Sequence, residues 1–329
     1  MNSRHNNGLA LSSGWRRVNR RCLCMVCGKP DWCLISADGL AVICARVQSE
    51  TKCGDAGWLH RLDCGPLPFP KIQPVSSTIE KASVKELNQV YQTLLSELPL
   101  FSYHRNDLLR RGLSNVQIKD LNYCSFPYEI RDSLSRKISS LYSLNGIPGF
   151  WKDKCGIWHL AGAVGFLIPI RDIQGRIQGF QIHCDDITGG KYKWLSSANH
   201  QNGCSSGVPI HVAQPRGANR SEIWVTEGAL KADIASLRLQ CIVLAVAGVG
   251  NWHGVIPIIQ KLAPDQIVVA YDSDKYSNET VSTHKNELIA NLLQMGSKVY
   301  EADWSTKFKG LDDILVTGDI CGNDRNQAH

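Results

Sequence analysis

From Ser221 onward, short aliphatic runs alternate with helical stretches, and this alternation restricts the fold more than any other feature of the chain. IWVTEG, IVLAVAG, QIVVAYDSD and KVYEAD read as four strands. ALKADIASLRL, WHGVIPIIQKL and a longer stretch around Lys285 to Met295 read as the helices that separate them. Strand and helix in alternation imply an α/β layer structure, a Rossmann-like parallel βαβαβαβ sheet with covering helices.

In open sheets of this kind ligands sit outside the carboxyl ends of the strands. Glu227 ends the first strand, just before a helix that opens at Ala229. Asp272 and Asp274 end the third, and residues two apart on a strand point the same way. Asp312 and Asp313 follow the fourth strand in KGLDDIL. Carboxylates brought together raise one another's pKa and repel unless a cation neutralises them. An oxygen-only cluster suits magnesium or manganese. Two such ions can activate a 3′-hydroxyl or a water and stabilise the leaving oxygen of an in-line phosphoryl displacement. Each acid taken singly would read as a helix cap or a solvated side chain. The matching positions of the two motifs favour a site.

The N-terminal part reads differently. Seven of the thirteen cysteines fall between Cys22 and Cys64. No secretory signal and no membrane-length apolar window accompanies them, so a cytoplasmic protein is expected, and the crowding points to metal rather than to cystines. Cys24 and Cys27 form a CxxC knuckle followed by Gly28. WCLIS and AVICARV read as a hairpin turning at Asp38 and Gly39, which brings Cys33 and Cys44 towards the knuckle. Four sulfurs suit zinc. Cys22, Cys53, His60 and Cys64 remain alternative ligands on spacing alone. The first thirty residues hold Arg4, Arg16, Arg17, Arg20, Arg21 and Lys29 and no acid. With Arg46 and Trp32 they offer either a phosphate- and base-contacting surface or a plain solvated basic face.

The expected organisation is therefore a basic leader and zinc-binding module over 1–64, a linker over 65–78, a basic α+β middle region over 79–220 and the α/β domain over 221–329. The linker rests on GPLPFPKIQPVSS, with four prolines and no periodic pattern. In the middle region, Leu87, Val90, Tyr91, Leu94, Leu95 and Leu98 recur on one helix face between Ile79 and Leu98, ahead of Pro99. A second helix is expected from Asn106 through Leu121. GFLIPIRD, a turn at Gln174 and Gly175, and RIQGFQIH read as a β-hairpin.

With these residues in view, the region from Ser221 to Gly318 resembles the Toprim domain of bacterial primases, topoisomerases, recombination proteins and some nucleases. The Glu-Gly after a first strand and the DxD after a third carry the likeness. It implies that Glu227 is a metal-binding and acid/base glutamate and that Asp272 and Asp274 are metal ligands. VGFLIPIRDIQGRIQGFQIH and KYKWLSS resemble the segment just upstream of Toprim in DnaG-type replicative primases. That likeness makes Arg171, Arg176, Lys191 and Lys193 expected DNA or nucleotide contacts, although Arg171 has the alternative of pairing with Asp172 or a neighbouring acid. Proteins with a CxxCGKPDWC knuckle and an EGxLKAD motif are similar to primase-like proteins of plasmids, phages and other mobile elements.

The chain departs from that pattern where primases carry an acid four positions after the glutamate, because Lys231 stands there. Asp233 or Asp312 would then complete a second metal position, with Lys231 as a nucleotide or DNA contact. The expected activity is template-directed primer synthesis on single-stranded DNA from nucleoside triphosphates, with magnesium or manganese in the carboxylate site and zinc in the N-terminal module. A Toprim-type nuclease and a non-catalytic DNA-binding protein with a degenerate metal site are the alternatives. No GxxxxGK[ST] phosphate loop occurs, so helicase work would fall to a separate replicative helicase.

Overall fold

The structure, a computed structural model, describes residues 15–20, 22–36, 39–62, 79–272, 279–305, 307–308, 310–317 and 325–327. The chain divides into two compact units, Met1–Val75 and Ser76–His329. Among the described residues no helix is long and apolar enough to cross a membrane.

The first unit holds five short strands, β1 (Trp15–Arg17), β2 (Leu34–Ser36), β3 (Ala41–Cys44), β4 (Thr51–Lys52) and β5 (Trp58–Arg61). They form one antiparallel sheet in the order β1-β2-β3-β5-β4. The expected hairpin is β2 with β3, which pair Leu34 to Ile43 and Ile35 to Val42. Its apolar core is small, little more than Val18, Ile35 and Val42 around the cysteines. A core of that size needs a staple. The sulfurs of Cys24, Cys27, Cys33 and Cys44 all lie within 4.8 Å of one another. Cys27 Sγ stands 3.7 Å from Cys33 Sγ, which stands 3.9 Å from Cys44 Sγ. Thiolates held tetrahedrally on one zinc at about 2.3 Å would be about 3.8 Å apart, so these four can hold it.

Two backbone amides already donate to this set, Ala45 N–H to Cys33 Sγ at 3.4 Å and Val47 N–H to Cys44 Sγ at 3.3 Å. Burial acts to raise the Cys27 thiol, but the Lys29 amide and the neighbouring thiols bring it down to about 6. Burial pushes Cys33 up to about 12. Of the alternative ligands, His60 Nε2 lies 3.1 Å from the Val47 carbonyl, and neither Cys22 nor Cys53 joins the cluster. Cys64 lies outside the described residues.

The second unit opens with α1 (Val84–Ser96), α2 (Ser102–Arg110) and α3 (Asn115–Leu121), followed by β6 (Cys124–Phe126) and α4 (Arg131–Ser139). Next come β7 (Phe150–Lys152), β8 (Trp158–Leu160), β9 (Gly165–Arg171), β10 (Ile177–Cys184), β11 (Tyr192–Trp194) and β12 (His211–Ala213). The remainder is β13 (Asn219–Glu227), α5 (Ala229–Leu239), β14 (Cys241–Val246), α6 (Val255–Leu262) and β15 (Gln266–Ala270). It closes with α7 (Glu279–Gln294), β16 (Val299–Ala302), α8 (Leu311–Thr317) and β17 (Arg325–Gln327).

Five of the six apolar positions of the first expected helix are buried on α1 and the sixth, Leu98, is buried just past its end; the helix starts at a capping box of Ser83 and Glu86. The second expected helix is two helices. Gly112 interrupts it with φ +88°, where a Cβ would meet Val316 Cγ2 at 2.7 Å, and Ser114 with Gln117 caps the new start at α3.

The middle sheet runs β11-β10-β9-β6, and β9 with β10 is the expected hairpin. The larger sheet runs β12-β14-β13-β15-β16-β17. Its four central strands are parallel. An antiparallel strand closes each edge, β12 on β14 and β17 on β16. Apolar clusters cover both faces, one of them built with α6 and α7 and the other with α5 and α8. A further cluster joins Phe166, Ile168 and Ile170 of β9 to Ala229, Leu230 and Ile234 of α5, so the two sheets share a helix.

A buried polar network reinforces that joint. Asp233 of α5 accepts from Tyr123 Oη at 2.5 Å and from His211 Nε2 of β12 at 3.0 Å. His211 Nδ1 accepts from the Arg171 backbone N–H at 3.0 Å, which leaves the ring proton on Nε2. All three side chains are buried.

Two outcomes follow from this packing. Stripping zinc with a chelator, or Cys33→Ser, should unfold the first unit, seen as loss of one zinc per chain and of protease resistance over residues 15–62, with the second unit's melting unaffected. Asp233→Ala should destabilise the second unit by about 3 kcal/mol in denaturant titrations because it strands His211 and Tyr123 in the core, whereas Tyr123→Phe should cost about 1 kcal/mol.

Candidate active site

The parallel register places the candidate acids. Thr226 pairs with Ala270 across β13 and β15, so Glu227 at the end of one strand and Asp272 just past the other come to the same edge. The Asp272 backbone N–H points at Glu227 Oε1, 3.4 Å away. Between them and the loop before α8 opens a cavity of about 510 Å³. Glu227, Asp272, Asp312 and Asp313 supply its acids, and Lys191, Lys231 and Arg111 its cations.

Gly228 starts α5. At φ +80° it turns the chain sharply out of β13, and no side chain caps the helix. Gly228, Leu230 and Lys231 all line the cavity. The uncapped first turn therefore presents backbone N–H groups and the positive end of the helix dipole to it.

Lys231 Nζ is hydrogen-bonded and ion-paired to Asp272 Oδ1. Burial raises the Asp312 carboxyl, Lys231 opposes that shift, and Asp313 and Asp272 add to it. Among the described residues that line the cavity the anionic donors are all carboxylate oxygens, with no thiol or imidazole, which fits a hard divalent cation. Among the described residues no third acid closes on Glu227 and Asp272 as tightly as the four thiols close on one another. Asp274 lies outside the described residues.

The other expected contacts separate. Lys191 faces the cavity, with its Nζ 5.6 Å from the Tyr192 ring centre. Lys193 is exposed and is not among the lining residues. Arg171 does not reach the carboxylates. Its guanidinium donates to the carbonyls of Gly175 and Leu121 at 3.1 and 3.2 Å, and it borders a different groove. Arg176, not Arg171, takes Asp172, with Nε 2.7 Å from Oδ2. Asp233 is also misplaced for a metal role, because it lies two residues past Lys231, about 200° around the helix, facing Tyr123 and His211. Asp312 is the acid that lines the cavity.

Spacing gave no hint of two other groups. Arg111, held by Asp107 with Nε 2.9 Å from Oδ2, arrives from the break between α2 and α3. Tyr192, 42% exposed at the cavity wall, arrives on β11. The Lys-Tyr pair in KYKW was the only local signal for it.

Comparison with known proteins bears on the fold. A family model described as a domain of unknown function (DUF3854) matches residues 217–320. No curated protein matches the chain. Solved structures do. The zinc-binding and RNA polymerase domains of the Aquifex aeolicus primase match with TM-score 0.55 and 15% identity over 71% of this chain, which spans 59% of that structure. A primase domain from Pseudomonas aeruginosa gives 0.56 and 18%, covering 71% of this chain and 75% of the other. A DnaG primase catalytic domain bound to single-stranded DNA gives 0.54 and 16%, covering 71% and 75%. At these identities the likeness is one of fold: the chain is folded like a DnaG-type primase domain.

Proposed function

We propose that the protein is a primase-like nucleotidyltransferase of Toprim type, joining nucleoside triphosphates on a single-stranded DNA template with magnesium or manganese in the Glu227, Asp272 and Asp274 site. The observation that carries this reading is the meeting of Glu227 and Asp272 at the carboxyl edge of adjacent parallel strands, inside a cavity that Arg111, Lys191 and Lys231 also line. The primase-like fold supports it, as does the single-stranded DNA held by one of the structures sharing that fold. A divalent ion held there would neutralise phosphate charge and make the attacking 3′-hydroxyl more acidic.

The chain's own groups have distinct tasks. Lys191 and Arg111 bind phosphate oxygens as charged donors, together with the open N–H groups at the start of α5. Tyr192 offers an exposed ring beside them for stacking on a base. Glu227 would hold the ion and serve as the acceptor of the hydroxyl proton. In the first unit, Trp32 is 71% exposed, and Arg16 and Arg17 on β1 are exposed too, a surface suited to single-stranded template. Arg171 and Arg176 take no part in phosphate binding at the cavity.

Glu227→Gln should reduce primer synthesis by about 10³-fold while leaving single-stranded DNA binding intact. The assay uses single-stranded DNA, labelled triphosphates and magnesium or manganese. Undiminished synthesis by the variant, or a wild type that cuts template and extends nothing, contradicts the reading. Lys191→Ala should raise KM for triphosphate about tenfold with kcat little changed, the loss of one charge-assisted phosphate contact.

A further inference from the structure

The carboxylate cavity already contains a cation built into the chain. Lys231 stands in the first turn of α5, four residues past Glu227, and its ammonium is bound to Asp272. Both side chains are largely removed from solvent, at 14% and 13% exposure. The ammonium also faces the acids of the α8 loop. A Cβ built on Gly310 would stand 2.6 Å from Lys231 Nζ and 2.9 Å from Asp312 Oδ1, so the ends of both side chains crowd the same point, and any other residue there would make them shift.

Like-charged carboxylates in a partly enclosed space require positive charge among them. In a two-metal centre the second ion meets that need from about 4 Å away from the first. An ammonium can meet it instead. It is compact, tetrahedral and carries three donors. Asp272 occupies one, which leaves the others for Asp312 and for an incoming phosphate oxygen.

We infer that Lys231 is the resident cation of this cavity: its ammonium takes the place of one divalent ion, and the site accepts a single divalent ion at Glu227 and Asp272. The inference rests on the proposed function only in needing a divalent ion at those two acids. It would stand if that ion served a different reaction.

The test is a count of bound manganese on the full chain by equilibrium dialysis, with zinc counted separately. The wild type should bind one manganese ion, lost in Glu227→Gln. Lys231→Asp, which removes the ammonium and supplies a carboxylate, should bind two. Lys231→Gln, which removes the charge and adds no acid, should bind one ion at least tenfold more tightly. Two ions on the wild type, none on it, or an unchanged count in Lys231→Asp overturns the inference. Should Lys231→Asp not fold, Lys231→Gln decides, and unchanged or weaker affinity overturns it. Primer synthesis measured on the same samples judges the proposed function independently: one ion bound without synthesis removes that function and leaves the resident cation.

Discussion

The site depends on the parallel pairing of β13 with β15. Because Thr226 lies opposite Ala270, both strands end at the same edge, and Glu227 and Asp272 are delivered to one place by backbone hydrogen bonding rather than by their own attraction. Their charges would oppose that arrangement. It survives because apolar clusters on both faces hold the sheet together and because cations meet the acids where they converge. Function here draws on stability generated elsewhere in the core.

Helix α5 carries most of the consequences. Ala229, Leu230 and Ile234 pack towards β9, Ala232 and Ala235 pack into the larger sheet, and Asp233 locks onto Tyr123 and His211. Lys231 alone turns into the cavity with its charge. One helix thus couples the middle sheet, the larger sheet and the charge balance of the site, so residues 76–329 form one compact unit. The first unit solves a different problem. Its apolar core is small, and four soft sulfur donors are gathered where a zinc ion would staple it.

Much of this was legible in the chain itself. The strands β13 to β16 announced themselves as aliphatic runs between helices, and their ends named Glu227 and Asp272. The four thiols followed from a knuckle and a hairpin. What was not legible depends on distance in sequence. β12 is three residues long and is recognisable only by the edge it closes. Arg111 and Tyr192 reach the cavity from other elements, and no spacing connects them to Glu227. Asp233 was a plausible ligand by type, yet helical geometry sends it to the opposite face, into a hydrogen-bond network whose other members are a tyrosine and a histidine far away in the chain. Gly112 ends a helix that periodicity alone would have continued.

The most direct test of the central claim is a crystal structure of the protein with manganese and a non-hydrolysable nucleoside triphosphate, using the anomalous signal of the metal. The account predicts a manganese peak bridging Glu227 and Asp272, with the triphosphate between Lys191 and the first turn of α5. Manganese and triphosphate bound together away from these residues, for example in the groove beside Arg171, would contradict it.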